Sequence, residues 1–171
     1  MKKFLSSFIV ILLCLGLFGC NNDTTKKESN VSKNAQSTYP MTVKDATNKE
    51  ISIKEAPKRI VSLIPSNTEI LFSIGEGKDV IGVTDFDNYP KEVKSIDKVG
   101  GNNADMTYNV EKIISLKPDL VLAHESSLGI SADGLEQLKQ AGINVFVVKN
   151  AATINDVYDT ILQVGEITSK S

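Results

Sequence analysis

Residues 59–75, Arg-Ile-Val-Ser-Leu-Ile-Pro-Ser-Asn-Thr-Glu-Ile-Leu-Phe-Ser-Ile-Gly, constrain the fold more than any other stretch. Ile60, Val61, Leu63 and Ile64 form a near-continuous apolar run. A parallel strand needs such a run, because side chains alternate between two faces and both are covered. Pro65 has no N–H to give to a ladder, so it ends the strand. Ser66-x-x-Glu69 has the spacing of a capping box, with the hydroxyl on a first-turn amide and Glu69 reaching back. Ile70, Leu71, Phe72 and Ile74 then face a core, and Gly75 falls just past the helix end. Ligands of open α/β sheets sit at the carboxyl ends of the strands. Ser66 and Asn67 fall at that point and are ligand-binding candidates.

The flanking sequence repeats the alternation. Met41–Asp45 and Ile51–Ile53 enclose Ala-Thr-Asn-Lys, a turn with an Asn suited to positive φ, and read as a small hairpin. Val80–Thr84, Asp119–His124 and Asn144–Val148 read as three further strands. Pro90–Ile96 reads as a short helix, and residues 98–108 as a loop. Asn109 is an N-cap for Val110–Leu116. Ser131–Ala141 is a helix with Leu135 and Leu138 inward and Gly142 at its end. Strands alternating with helices predict an α/β fold: a parallel four-stranded sheet flanked by helices, with right-handed crossovers. From Thr153 to Ser171, apolar residues recur at helical spacing (Ile154, Val157, Tyr158, Ile161, Val164, Ile167) and predict one long helix.

The N-terminus belongs to a different regime. Lys2 and Lys3 precede an apolar run from Phe8 to Phe18. A bilayer-spanning helix needs about 20 apolar residues, so residues 1–19 read as a signal peptide. The leader ends in Leu17-Phe18-Gly19-Cys20, which resembles the bacterial lipobox, with Cys20 the lipidated residue. More than one acyl chain on that residue gives stable membrane attachment. Cys14 leaves with the leader, so Cys20 has no disulfide partner. Residues 20–39 are polar and read as a flexible tether. The lobe proper is expected over residues 40–152. The chain carries 19 Lys and Arg against 21 Asp and Glu, a balance that argues against a nucleic-acid partner.

Enzyme motifs are absent. There is no Gly-x-Gly-x-x-Gly, Gly77-Lys78-Asp79 lacks the rest of a P-loop, and no Gly-x-Ser-x-Gly elbow occurs. One histidine without a Cys pair supplies no zinc set, so no metal site is expected.

Several motifs appear together and in order: the lipobox, Ala56-Pro-Lys-Arg-Ile-Val-Ser-Leu63, Pro65-Ser-Asn-Thr-Glu-Ile-Leu71, Gly82-Val-Thr-Asp-Phe-Asp-Asn-Tyr-Pro90 and Val110–Ala123. The set resembles the substrate-binding lipoproteins of ABC importers for ferric siderophores, haem and cobalamin. The resemblance implies two α/β lobes joined by a long helix, with the ligand between them. Residues 153–171 then look like the start of that helix, and the chain is the N-terminal lobe, about half a family member's length. It implies no cofactor, the metal chelate being cargo. It also implies an ABC permease and its ATPase as partners, and a place on the outer face of the cell membrane. The motifs look most like the cobalamin-type members, with a ferric siderophore next and haem third. A ligand-sensing lipoprotein without transport is the alternative, and an enzyme on a flavodoxin-like lobe is another.

Each candidate has a plain reading beside its functional one. Glu111 lies in the first turn of a helix, where a carboxylate suits the dipole; the resemblance makes it a docking residue for permease arginines. His124, the single histidine, ends the third strand at the same edge as Asn67. It is either a satisfied structural residue or a cleft residue. Phe86 offers a flat face to a macrocycle, or anchors its loop. Tyr89 is expected to pack on Pro90, and Tyr108 to staple the following helix. Lys149 and Asn150 are cleft candidates by position.

Overall fold

The computed structural model describes residues 38–101, 107–126 and 130–169. The signal peptide, Cys20 and nearly all of the tether lie outside them, as do residues 102–106. Strands β1 (Met41–Lys44) and β2 (Glu50–Ile53) form the expected antiparallel hairpin. Its turn places Asn48 at φ 63°, and Asp45 accepts from the Thr47 and Lys49 amides.

The main sheet comprises β3 (Ile60–Ser62), β4 (Val80–Val83), β5 (Asp97–Lys98), β6 (Leu120–His124) and β7 (Asn144–Val148). All pairings are parallel, in the order β5-β4-β3-β6-β7. The sheet thus has one strand more than the four expected. β5 is a two-residue edge strand with no apolar alternation, which is why the pattern did not mark it.

Both faces are covered, as the apolar run of β3 requires. Ile60, Leu120, Leu122 and Phe146 face one core, which Leu71, Val164 and Ile167 complete together with Ile51 and Ile53 of the hairpin. Val61, Val121 and Ala123 face a second core with Ile113 and Leu138. Helices α1 (Pro65–Ser73) and α4 (Ile154–Thr168) therefore lie on one face. Helices α2 (Val110–Ser115) and α3 (Ala132–Gln140) lie on the other. Residues 91–95, expected as a short helix, form a single 3₁₀ segment.

Two expectations are corrected. Ser66 does not cap α1: the N-cap is Ile64, with Pro65 the first helical residue, and no side chain bonds the free amides. Proline is preorganised for that first position and has no N–H to satisfy. Ser66 is thereby moved one residue into the helix, where it is exposed, and Glu69 is exposed too. Leu135 does not point inward: it is 41% exposed, while Leu138 is fully buried. The remaining caps form. Asn109 accepts from the Lys112 amide and Ser131 from Gly134. Thr153 and Asp156 make a reciprocal capping box at the start of α4.

Candidate functional site

The sheet reverses its winding between β3 and β6. From β3 the chain moves outward to β4 and β5; α2 then carries it back across to β6 and on to β7. The crevice at such a switch point, outside the carboxyl ends of the strands, is where open α/β sheets bind ligands. Because helices run back against the strands, the N-termini of α1, α2, α3 and α4 rise at this same edge.

Three of the four ligand-binding candidates come together there. Ser66, Asn67 and His124 line one recess of about 100 Å³, with Ile70, Val148 and Lys149. Val157 and Thr160 of α4 close one side. Pockets that enclose a ligand of drug size usually measure about 300–1,000 Å³. The recess is smaller than that range.

Asn67 is 1% exposed, and its amide donates to the Ala123 carbonyl at 3.1 Å. It stitches the loop after β3 to the end of β6, and so fixes the two sides of the switch point against each other. His124 is 8% exposed. Its Nδ1 accepts from the Ser126 amide at 3.1 Å and lies 2.7 Å from the Ser126 hydroxyl. An Nδ1 that accepts from an amide leaves the neutral ring's proton on Nε2. Burial pulls the His124 pKa below its ordinary 6.5, and the neighbouring Glu125 carboxylate pulls it partly back up. Glu125 in turn accepts from the Asn150 amide at 2.7 Å, tying the loops after β6 and β7 together.

Phe86 is half exposed, on the loop after β4. It stands at the carboxyl edge of the sheet but not in the recess lining. Glu111 is exposed in the first turn of α2, at the same edge on the opposite face of the sheet from α1 and α4. Lys149 lines the recess; Asn150 lines a separate depression between the hairpin and α4. Tyr89 is 64% exposed.

Sequence reasoning missed three structural ties, one at the opposite edge of the sheet and two at this one. Arg59 donates from Nε to the Leu116 and Lys117 carbonyls and from Nη2 to Leu116, closing the C-terminus of α2. The Tyr108 hydroxyl is buried on the Leu63 carbonyl. Asp87 is buried in the turn beside Phe86 and accepts from Thr84. The first two join residues 57 and 45 apart and depend on segments meeting across distant sequence; the third is a local contact within one turn. Among the described residues there is no group of three or more metal-ligating side chains, and no helix long and apolar enough to cross a membrane.

A family model described as periplasmic binding protein matches residues 60–171. The chain is 50% identical over 167 residues to YvrC of Bacillus subtilis strain 168, named an uncharacterized ABC transporter substrate-binding lipoprotein; the match covers 97% of this chain and 52% of YvrC. It is 36% identical over 117 residues to the vitamin B12-binding protein of Vibrio vulnificus strain YJ016, covering 68% and 41%. Among solved structures, a possible iron-binding periplasmic solute-binding protein from Staphylococcus epidermidis ATCC 12228 superposes with a TM-score of 0.61. That pair is 43% identical, over 68% of this chain and 44% of the other. The chain spans about half the length of the curated relatives it matches.

Proposed function

Because the chain belongs to the periplasmic binding protein family, we propose that it forms the N-terminal wall of an extracytoplasmic binding site for a metal chelate. The cargo favoured is cobalamin or a related corrinoid, ahead of a ferric siderophore, for delivery to an ABC permease and its ATPase. The observation that carries this reading is the recess at the β3/β6 switch point, where Ser66, Asn67 and His124 converge on a volume too small to enclose a ligand alone. Phe86, half exposed at the same edge, adds a flat apolar face for a macrocycle. The cobalamin preference is supported by the likeness to the vitamin B12-binding protein of Vibrio vulnificus and to a 32% identical cobalamin-binding protein from Halobacterium salinarum.

The rest of the chain fits this task. Residues 1–19 are removed as a signal peptide, Cys20 carries lipid, and residues 20–39 tether the lobe at residues 40–152. Residues 153–171 begin the helix that joins this lobe to a second. Glu111, exposed and away from the recess, docks on permease arginines. Binding and release carry the whole function, with no catalytic residue and no resident cofactor.

An amide chemical-shift titration of the purified chain with cyanocobalamin, and separately with a ferric hydroxamate, tests this reading. Shifts should gather at the carboxyl edge around Ser66, Phe86 and His124. With only one face of the ligand covered, affinity should be in the millimolar range, near about −4 kcal/mol. Shifts confined to the opposite edge, or absent with both ligands, would discard the reading.

A further inference from the structure

The turn that carries Phe86 is held by several buried and partly buried polar contacts. Asp87 is 5% exposed. Its Oδ2 accepts from the Thr84 amide at 2.9 Å and from the Thr84 hydroxyl at 2.5 Å. The same hydroxyl oxygen accepts from the Phe86 amide at 3.3 Å. From the opposite side, Lys98 Nζ donates to the Thr84 carbonyl at 3.1 Å and the Asp87 carbonyl at 3.2 Å. A third tie joins the Asp85 amide to the Gly100 carbonyl at 3.0 Å. Gly100 itself sits at φ +98°, and a Cβ there would lie 3.0 Å from the Thr107 carbonyl oxygen, so only glycine suits that position.

These contacts give β5 a purpose. The strand has two residues, and its pairing with Gly82 and Val83 brings Lys98 beside the end of β4. The lysine then bridges two main-chain carbonyls across the base of the turn, as a bound cation would. A buried carboxylate and a partly buried ammonium are costly to desolvate, and a surface loop needs neither merely to turn. Here both converge on four residues whose one exposed aromatic ring is Phe86.

We propose that Asp87 and Lys98 are positioning residues that lock the Thr84–Asp87 turn and hold the Phe86 ring preorganised at the ligand edge. The proposal rests on Phe86 being a ligand contact, as read above. A ring held in place loses less freedom when it stacks on a macrocycle, so the clamp acts on affinity through Phe86 and not by touching ligand.

The chain contains no tryptophan, so Phe86→Trp installs a single fluorescent reporter on the turn. In that variant the indole should tumble with the whole protein. Adding Asp87→Ala or Lys98→Met should introduce a fast nanosecond component in the anisotropy decay. Acrylamide quenching should rise with it, while far-UV circular dichroism stays unchanged. Asp87→Asn keeps an acceptor for Thr84 and should restore most of the rigidity. A second arm uses amide-shift titration with cyanocobalamin. Asp87→Ala should weaken binding by about tenfold, roughly 1.4 kcal/mol. In a Phe86→Ala background it should have no further effect, because the two changes share one mechanism. An indole equally rigid in Asp87→Ala and Lys98→Met overturns the clamp, and so does an equal loss of affinity in both backgrounds. If Phe86→Ala alone leaves cyanocobalamin binding unchanged, the functional reading of Phe86 fails, while the anisotropy still decides the clamp.

Discussion

The Tyr108 hydroxyl donates a buried hydrogen bond of 2.7 Å to the Leu63 carbonyl. Leu63 is the residue at which the chain leaves β3 for Pro65, and its own amide donates to the Leu122 carbonyl at 3.0 Å. One tyrosine thus fastens the segment entering α2 to the loop that opens the ligand edge.

Tyr108→Phe should therefore destabilise the fold by about 1–3 kcal/mol, because a buried carbonyl loses its donor. A urea titration should show a lower midpoint with an unchanged slope. A midpoint within error of the parent would mean that the Leu63 carbonyl finds another partner.

The acid limb of the stability curve should contain a histidine component. Burial lowers the folded-state pKa of His124 below its ordinary 6.5, with Glu125 opposing. The unfolded chain then binds more protons than the folded one just below pH 6.5, so stability must fall with acidification in that window. The contribution is fully present above pH 6.5 and is lost as pH drops toward the lowered folded value. Asp156 behaves separately. Its hydrogen bonds from Thr153 and Ala152 hold its pKa below the ordinary 3.8, so its stabilising effect is lost only at lower pH still. His124→Gln should flatten the curve just below pH 6.5 and leave the more acidic limb in place. Urea midpoints at three pH values would check it; a parent curve already flat there contradicts the assigned shift.

Much of this architecture is legible in the sequence, for physical reasons that also explain the misses. Ile60-Val61 and Leu120-Val121-Leu122 alternate between two buried cores, so their apolar runs could mean little else. Asn109, Ser131 and Thr153 cap helices because a short polar side chain before an apolar period meets a local need, a free first-turn amide. Ser66 failed by the same local logic: Pro65 competes for the helix start and wins it. At the site, Ser66, Asn67 and His124 were placed together by topology alone, since parallel strands end at one edge. What spacing cannot give is the use of Asn67 on Ala123, of Arg59 on Leu116, or of Lys98 on Thr84. Those pairs lie 56, 57 and 14 residues apart and exist only once the sheet is assembled.

Membrane attachment and docking should separate cleanly by mutation. The apolar N-terminal run is followed by Leu-Phe-Gly-Cys; if Cys20 is lipidated as proposed above, Cys20→Ala should release the protein from membranes or leave it unprocessed. A processed, membrane-bound Cys20→Ala variant would remove lipidation as the attachment. Glu111 is exposed, so Glu111→Arg should cost no more than about 1 kcal/mol, the worth of a carboxylate at a helix start. Placed in a two-lobe version of the protein, the same reversal should abolish uptake of the chelate and leave its affinity intact. Normal uptake would discard the docking role.

Helix α4 should be unequal in stability along its length. Its C-terminal part is seated in the core: Val164, Ile167 and Thr168 are fully buried. The Tyr39 hydroxyl donates to the Ile167 carbonyl at 3.0 Å and accepts from the Ser169 hydroxyl at the same distance. The N-terminal part has its capping box, but Ile154 is 71% exposed, Tyr158 62% and Leu162 61%. A capping box adds only about 0.5–2 kcal/mol, and a helix of this length depends mostly on packing. Native-state hydrogen exchange should therefore show amides of residues 158–161 opening well before those of residues 165–168, the former by local fraying and the latter near the global unfolding energy. Covering the exposed stripe should erase the difference, so the same amides in a two-lobe version should exchange together. Uniform protection along α4 in the present chain would mean that the capping box and the recess contacts of Val157 and Thr160 suffice to hold its first two turns.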